Sequence, residues 1–172
     1  MTQNDGNNKR LKVAQNLIEN LPSNSKVGVV KFASYTTALT PTVTSDKEVA
    51  KNYLTPAYFR SSGGTYMYNA ISSAFSLFET TDDTILKMIV VLSDGETSDT
   101  GKHTSVIATA NNNGVKVYTV GLGNSSSRYF TRYLKPLANN TAGTFYLASN
   151  ANQLEDIYND INLSLIHISE PT

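Results

Sequence analysis

The 172-residue sequence contains no cysteine. Disulfide bonds, thiolate metal sites and a cysteine nucleophile are therefore excluded, whereas the redox compartment is left open. Net charge is also absent, because 14 lysine and arginine residues balance 14 aspartate and glutamate residues. This balance does not favour an electrostatic hold on nucleic acid or on an anionic membrane. We expect neither partner.

Long apolar runs are missing as well, since none approaches the roughly 18 residues that cross a bilayer. We therefore expect no membrane insertion in this segment. The length suits one domain, because a single hydrophobic core of ordinary size takes about 100–200 residues.

Hydrophobic periodicity predicts alternating helices and strands. The first elements are an amphipathic helix over 10–21, a buried strand over 26–33 and a more exposed edge strand over 36–43. The short gap between the two strands predicts a hairpin. Ser45 and Glu48 have capping-box spacing, which predicts a short helix from near Asp46.

The remaining elements continue this alternation. Strands are predicted over 87–95, 115–123 and 143–149, and helices over 66–78, 104–114, 128–140 and 152–161. Strands that alternate with helices form a parallel sheet covered on both faces. The sequence therefore predicts an α/β fold with a doubly wound, mostly parallel, Rossmann-like sheet and one antiparallel edge strand.

Two polar residues are expected at one edge of this sheet. Asp94 follows the apolar run "MIVVLS", and so apolar a strand must be covered on both faces. Thr65 stands where a Gly63-Gly64 turn starts a helix. Ligands of doubly wound sheets bind outside the carboxyl ends of the strands. A carboxylate and a hydroxyl at that edge suit Mg²⁺, which prefers hard oxygen ligands.

Each of these residues also has a simpler interpretation. Asp94-Gly95 could form a hairpin turn, although the following "ETSDTGKHTS" has no alternation typical of a returning strand. Thr65 could be only a helix cap. Taken together, the pair favours a site. The residues expected to face its ligand are Ser62, Gly63, Gly64, Tyr66, Gly95 and Glu96.

Other chemistries have less support. "GLGNSS" lacks the third glycine of a dinucleotide-binding loop, and "SSGGTYM" lacks the lysine of a P-loop. Ser93 is not in a G-x-S-x-G elbow, and His103 lies in a polar stretch where a solvated side chain is expected. We therefore predict no catalytic residue.

At this point the sequence resembles the von Willebrand factor type A family. The resemblance covers about residues 9 to 161, through "KRLKVAQNLIENL", "KVGVVKFAS", "SSGGTYMYNAI", "MIVVLSDGETSD", "VKVYTVGLG" and "GTFYLASNANQLEDIYNDI". It implies a mostly non-enzymatic binding module in which Mg²⁺ is held at a metal-ion-dependent adhesion site (MIDAS). In the family, a D-x-S-x-S motif, a threonine before a helix and an aspartate after a strand form that site. The resemblance carries the last two onto Thr65 and Asp94.

The D-x-S-x-S motif and its preceding apolar strand are absent from this sequence. We therefore interpret residues 1–162 as a partial type A domain that lacks a central strand between strands 26–33 and 87–93. A strand of five or six apolar residues contributes roughly 1.5–3 kcal/mol per buried side chain, which is comparable to the whole stability of a domain. The segment alone is expected to be marginally stable and to bind metal weakly or not at all.

The last residues, 163–172, read "LSLIHISEPT". Their apolar residues leave the stripe of the preceding helix, and the stretch resembles translated sequencing-adapter DNA. We interpret it as a non-native tail that does not continue the helix.

For the intact protein, the resemblance implies that magnesium accepts an acidic side chain from a partner protein. It also favours a cell-surface or secreted location in a larger, bacterial protein. One alternative is a docking subunit of an intracellular ATP-driven metal-insertion or remodelling complex. Another is a nucleotide-using enzyme on the same fold.

Overall fold

A computed structural model describes residues 8–59, 64–78, 82, 84–94, 96–123 and 127–169, with side chains to residue 164. The helices are α1 (Lys9–Glu19), α2 (Lys47–Asn52), α3 (Met67–Phe75), α4 (His103–Asn112), α5 (Lys135–Asn139) and α6 (Leu154–Ser169). The strands are β1 (Val30–Phe32), β2 (Thr36–Ala38), β3 (Lys87–Ser93), β4 (Val115–Leu122) and β5 (Phe145–Ala148). Among the described helices, none combines the length and apolarity that crossing a lipid bilayer requires.

The larger sheet is parallel, in the order β3-β4-β5. Its centre is β4, whose side chains alternate between two hydrophobic clusters because successive residues of a strand point to opposite faces. Val117 packs with α3, α4 and α5, whereas Tyr118 and Val120 pack with α1 and α6. Helices on both faces of a parallel sheet confirm the predicted α/β class.

β3 is less buried than its composition predicts. Val91 is buried, but Ile89, Val90 and Leu92 are only half-buried. The reason is positional, since β3 is the edge strand of the three-stranded sheet and, among the described strands, pairs with β4 alone. Both faces of the strand are nevertheless covered, as predicted, because Ile89 and Val91 pack in one cluster and Val90 and Leu92 pack against the other.

A second sheet contains only β1 and β2, which pair antiparallel with Phe32 opposite Thr36. The predicted hairpin is confirmed, but both strands are much shorter than predicted. Beyond these strands, the Leu39 amide donates to the Val29 carbonyl at 2.8 Å, and an isolated bridge pairs Val27 with Thr44. β1 is half-buried throughout rather than buried.

The two sheets are separate, and no strand pairing in the described part of the chain joins them. Side chains connect them instead. On one face, α3 belongs to the cluster that contains Val91 of β3 and Phe32 of β1. On the other face, Ala14 of α1 packs against both the β4–β5 cluster and the cluster around Val29. Two helices therefore bridge two sheets between which no described strands pair.

Three local predictions need correction. The cap of α2 is Asp46 rather than Ser45, because the Asp46 carboxylate accepts the Glu48 and Val49 amides at 3.0 and 3.2 Å. The helix predicted over 128–140 begins with a π-helical turn at Phe130–Leu134 before α5. The final helix does not end near 161, since α6 runs to Ser169. The non-native origin of residues 163–172 stays a prediction.

Gly143 offers a test of this packing. A Cβ atom there would lie 2.1 Å from the backbone oxygen of Val117 in β4, which cannot move without breaking the sheet. Gly143→Ala is therefore expected to lower the free energy of unfolding by about 1–3 kcal/mol or more. Gly101→Ala is the matched control, since nothing lies within 4 Å of its Cβ position, and should change stability by less than about 0.5 kcal/mol. Urea denaturation measures both, and equal effects would contradict the described packing.

Candidate metal and ligand site

Asp94 lies at the carboxyl edge of the parallel sheet. It directly follows Ser93, which ends β3 and lies opposite Gly121 of β4. Gly121 in turn pairs with Leu147 of β5, so the three strands finish along the same edge. Asp94 is half-buried there. This is the position that the apolar run before it predicted.

Backbone hydrogen bonds bring Thr65 to the loop that follows Asp94. The Thr65 carbonyl accepts the Ser98 amide at 2.7 Å, and the Thr97 hydroxyl lies 2.9 Å from the same oxygen. Ser98 is only four positions after Asp94 in the sequence. Thr65, itself half-buried, therefore lies against the loop that carries Asp94. The metal-binding role of the two side chains stays a prediction.

The start of α3 depends on the same loop. Its N-cap is Tyr66, which makes no side-chain capping bond, so Thr65 is not the helix cap. The Met67 amide instead donates to the Thr97 hydroxyl at 2.9 Å, and the Asn69 amide donates to the Asp99 carboxylate at 2.8 Å. Thr97 and Asp99 thus satisfy amides that a helix leaves unpaired at its beginning.

The turn of the hairpin β1–β2 is a third chain segment beside Thr65. We call residues 33–35, 64–66 and 96–99 the rim of the site. The Gly64 amide donates to the Ser34 hydroxyl at 2.8 Å, and the Tyr66 amide donates to the Ala33 carbonyl at 3.1 Å. Tyr35, at the hairpin turn, is 83% exposed. The Gly64–Tyr66 stretch therefore contacts both the hairpin turn and the loop that follows Asp94.

The structure describes three of the six residues that are predicted to face the ligand. Gly64, Tyr66 and Glu96 are exposed at this edge. Ser62, Gly63 and Gly95 lie outside the described residues. Sequence reasoning missed Thr97 and Asp99, although the polar stretch "ETSD" after the strand was a signal that this loop bonds to something other than a neighbouring strand.

His103 differs from its prediction. It is the first residue of α4, and its Nδ1 atom lies 2.7 Å from the Tyr68 hydroxyl. The ring also makes edge contacts with Tyr68 and Tyr133 at 5.6 Å between centroids. Partial burial lowers the pKa of His103, because it disfavours the charged imidazolium. Burial likewise raises the pKa of Tyr68 and keeps its hydroxyl protonated. His103 is a packed residue, not a solvated one.

The donor set at the rim suits a hard divalent cation but is small. Thr65 and Asp94 offer a hydroxyl and one carboxylate, both oxygen donors of the kind that magnesium takes. No group of three histidine, aspartate or glutamate side chains converges within the described ranges. The residues present fit part of a magnesium site, and further oxygen ligands are needed to complete it.

The chain is similar to proteins of a known family. The family model of the von Willebrand factor type A domain matches residues 1–160. The chain belongs to this family. No curated protein sequence matches the chain.

Solved structures share the type A fold with this chain. BatB from Bacteroides thetaiotaomicron has a TM-score of 0.78 at 21% identity, covering 98% of this chain and 92% of its own. A von Willebrand factor type A protein from Catenulispora acidiphila has a TM-score of 0.75 at 18% identity, covering 91% of this chain and 38% of its own. At these identities the likeness shows the fold alone.

A third structure contains a metal. Proximal thread matrix protein 1 from the mussel byssus, with a zinc-occupied MIDAS motif, has a TM-score of 0.72 at 16% identity. The alignment covers 95% of this chain and 43% of the mussel chain. Type A domains of this kind are interaction modules that commonly bind a divalent metal.

The lowered pKa of His103 predicts a pH dependence of stability. The unfolded chain takes up this proton near the ordinary value of 6.5, whereas the folded chain does so only at lower pH. The contribution of His103 is therefore complete above pH 6.5 and is lost as pH falls toward the folded pKa. His103→Gln should make the decline of the urea midpoint between about pH 7.5 and about pH 5.5 shallower. An unchanged slope would contradict this assignment.

Proposed function

We propose that this type A domain is a metal-dependent protein-binding module that takes an acidic side chain of a partner protein. The observation that carries the proposal is the bond from the Ser98 amide to the Thr65 carbonyl, which joins the loops of the two predicted ligands. The family and the zinc-containing mussel structure support it.

Thr65 and Asp94 would hold a magnesium ion through their hydroxyl and carboxylate oxygens. A divalent cation left with an open coordination position attracts a carboxylate. A carboxylate is a hard oxygen ligand, so an acidic side chain from the partner suits that open position. The chain has no net charge to steer the encounter, so recognition depends on the site and its rim.

The rim would set specificity. Tyr66 and Glu96 are exposed beside the predicted ligands, and Tyr35 projects from the adjoining hairpin. Tyrosine is enriched at binding hot spots because it combines a large apolar ring with a hydroxyl. A partner that places an acidic residue beside an apolar one fits this surface.

The missing ligands would come with an additional strand. β1 and β3 belong to separate sheets that α1 and α3 bridge on opposite faces. A strand between them would pair with backbone groups at the edges of β1 and β3 and cover Ile89, Val90 and Leu92, which are half-buried. If it ended in D-x-S-x-S, it would also bring a carboxylate and two hydroxyls to the edge of Asp94.

Metal titration tests the function. The protein for this experiment is the chain preceded by an apolar strand that ends in D-x-S-x-S. We expect Mg²⁺ binding by calorimetry, and Asp94→Ala should weaken it by at least about tenfold, since even residues behind metal ligands contribute that much. Asp160→Ala, which removes an exposed carboxylate from α6, is the control and should leave the affinity unchanged. Equal affinity after both substitutions, or binding of ATP without a metal effect, would reject the proposal.

The entry of an additional strand between β1 and β3 can be tested without metal. Preceding the chain with this strand should raise the free energy of unfolding, because each buried apolar side chain contributes roughly 1.5–3 kcal/mol before the cost of ordering it. The control is the same extension with two prolines within the strand, which cannot donate to a sheet. Urea midpoints that are equal for the two extensions would show that no strand enters between β1 and β3.

A further inference from the structure

The Thr97 hydroxyl occupies the junction between the loop after Asp94 and the start of α3. Thr97 is 7% exposed. Its oxygen accepts the amide of Met67, a fully buried residue, at 2.9 Å. The same hydroxyl contacts two acceptors, the Thr65 carbonyl and the Asp99 carboxylate. One hydroxyl carries one proton and can donate it to only one of them.

The Thr65 carbonyl does not depend on that proton. It already accepts the Ser98 amide at 2.7 Å. A hydrogen bond to an ionised carboxylate is stronger than one to a neutral carbonyl, so the Thr97 proton goes to Asp99. The hydroxyl therefore connects the Met67 amide to the Asp99 carboxylate, and the Ser98 amide holds Thr65.

The second carboxylate oxygen of Asp99 links the loop after Asp94 to α3. Asp99 Oδ2 accepts the Asn69 amide at 2.8 Å, within the first turn of α3. A carboxylate at this end of a helix is also favoured by the helix dipole. Because α3 has no side-chain cap of its own, Thr97 and Asp99 pair the amides within its first turn, whereas the hairpin bonds hold the preceding residues Gly64 and Tyr66.

We propose that Thr97 and Asp99 are positioning residues of the metal site, which hold Thr65 beside the Asp94 loop before a cation binds. This inference rests on the proposed function, since it assigns Thr65 a ligand role. Thr65 stands two residues before Met67, so a displaced first turn moves the Thr65 hydroxyl. Asp94 precedes the junction and keeps its place at the end of β3.

The 172-residue chain itself permits the test, with Mn²⁺ as the probe. Paramagnetic Mn²⁺ broadens the amide NMR signals of nearby residues even when it binds weakly. In the unsubstituted chain, we expect broadening at both Thr65 and Asp94. Thr97→Val and Asp99→Ala should reduce the broadening at Thr65 several-fold relative to that at Asp94. Thr97→Ser, which restores the hydroxyl, should restore the ratio.

Hydrogen exchange provides a second readout without metal. Thr97→Val should speed exchange of the Met67 amide by about tenfold, the change expected when one buried hydrogen bond is lost. Thr109→Val is the matched control, because Thr109 is exposed and its hydroxyl bonds only to Ser105 within α4. It should change neither the exchange rate nor the broadening ratio.

The results of these experiments distinguish the positioning role of Thr97 and Asp99 from metal binding itself. A lower unfolding midpoint in Thr97→Val, with the broadening ratio and the Met67 exchange rate unchanged, would overturn the positioning role. Absence of broadening at both Thr65 and Asp94 in the unsubstituted chain would instead overturn a cation site formed by these two residues alone. The calorimetric titration then decides the proposed function, and the Met67 exchange rate still tests the positioning role. The two results are distinct, because a changed ratio requires that broadening persists at Asp94.

Discussion

The structure depends on the parallel pairing of β3, β4 and β5. Parallel strands end on the same side of a sheet, and the register from Ser93 through Gly121 to Leu147 makes all three finish together. Helices on both faces exclude water from β4, which fixes this register. The place of Asp94 follows directly from the pairing, and the position of the next loop, with Thr97 and Asp99, follows from Asp94.

This dependence explains which features the sequence predicts. β3 and β4 are recognisable because strands with helices on both faces carry continuous apolar residues. α4 is recognisable because Gly114 ends it with a φ of 62° that glycine adopts readily. These are local signals. The hairpin, α4 and the parallel sheet therefore agree with the sequence, as does the position of Asp94 at the sheet edge.

The features that the sequence does not predict arise from distant contacts. The bond between Thr97 and Met67 joins residues 30 positions apart, and no periodicity records it. His103 has polar sequence neighbours, yet it packs between Tyr68 and Tyr133, which belong to other helices. The half-burial of β3 depends on which strands pair with it. For the candidate site, the sequence thus indicates two residues but not the contacts that hold them.

The separation of the two sheets has a consequence for how the molecule opens. The hairpin and α2 contact the remainder through side-chain packing on α1 and α3 and through the links from Ala33 and Ser34. Side-chain bonds from Gln15 and Lys47 and the ion pair of Lys51 with Glu19 add to this attachment. Side-chain packing without a continuous backbone ladder separates more readily than a paired sheet. We therefore expect the hairpin and α2 to open locally before the β3–β5 layer does.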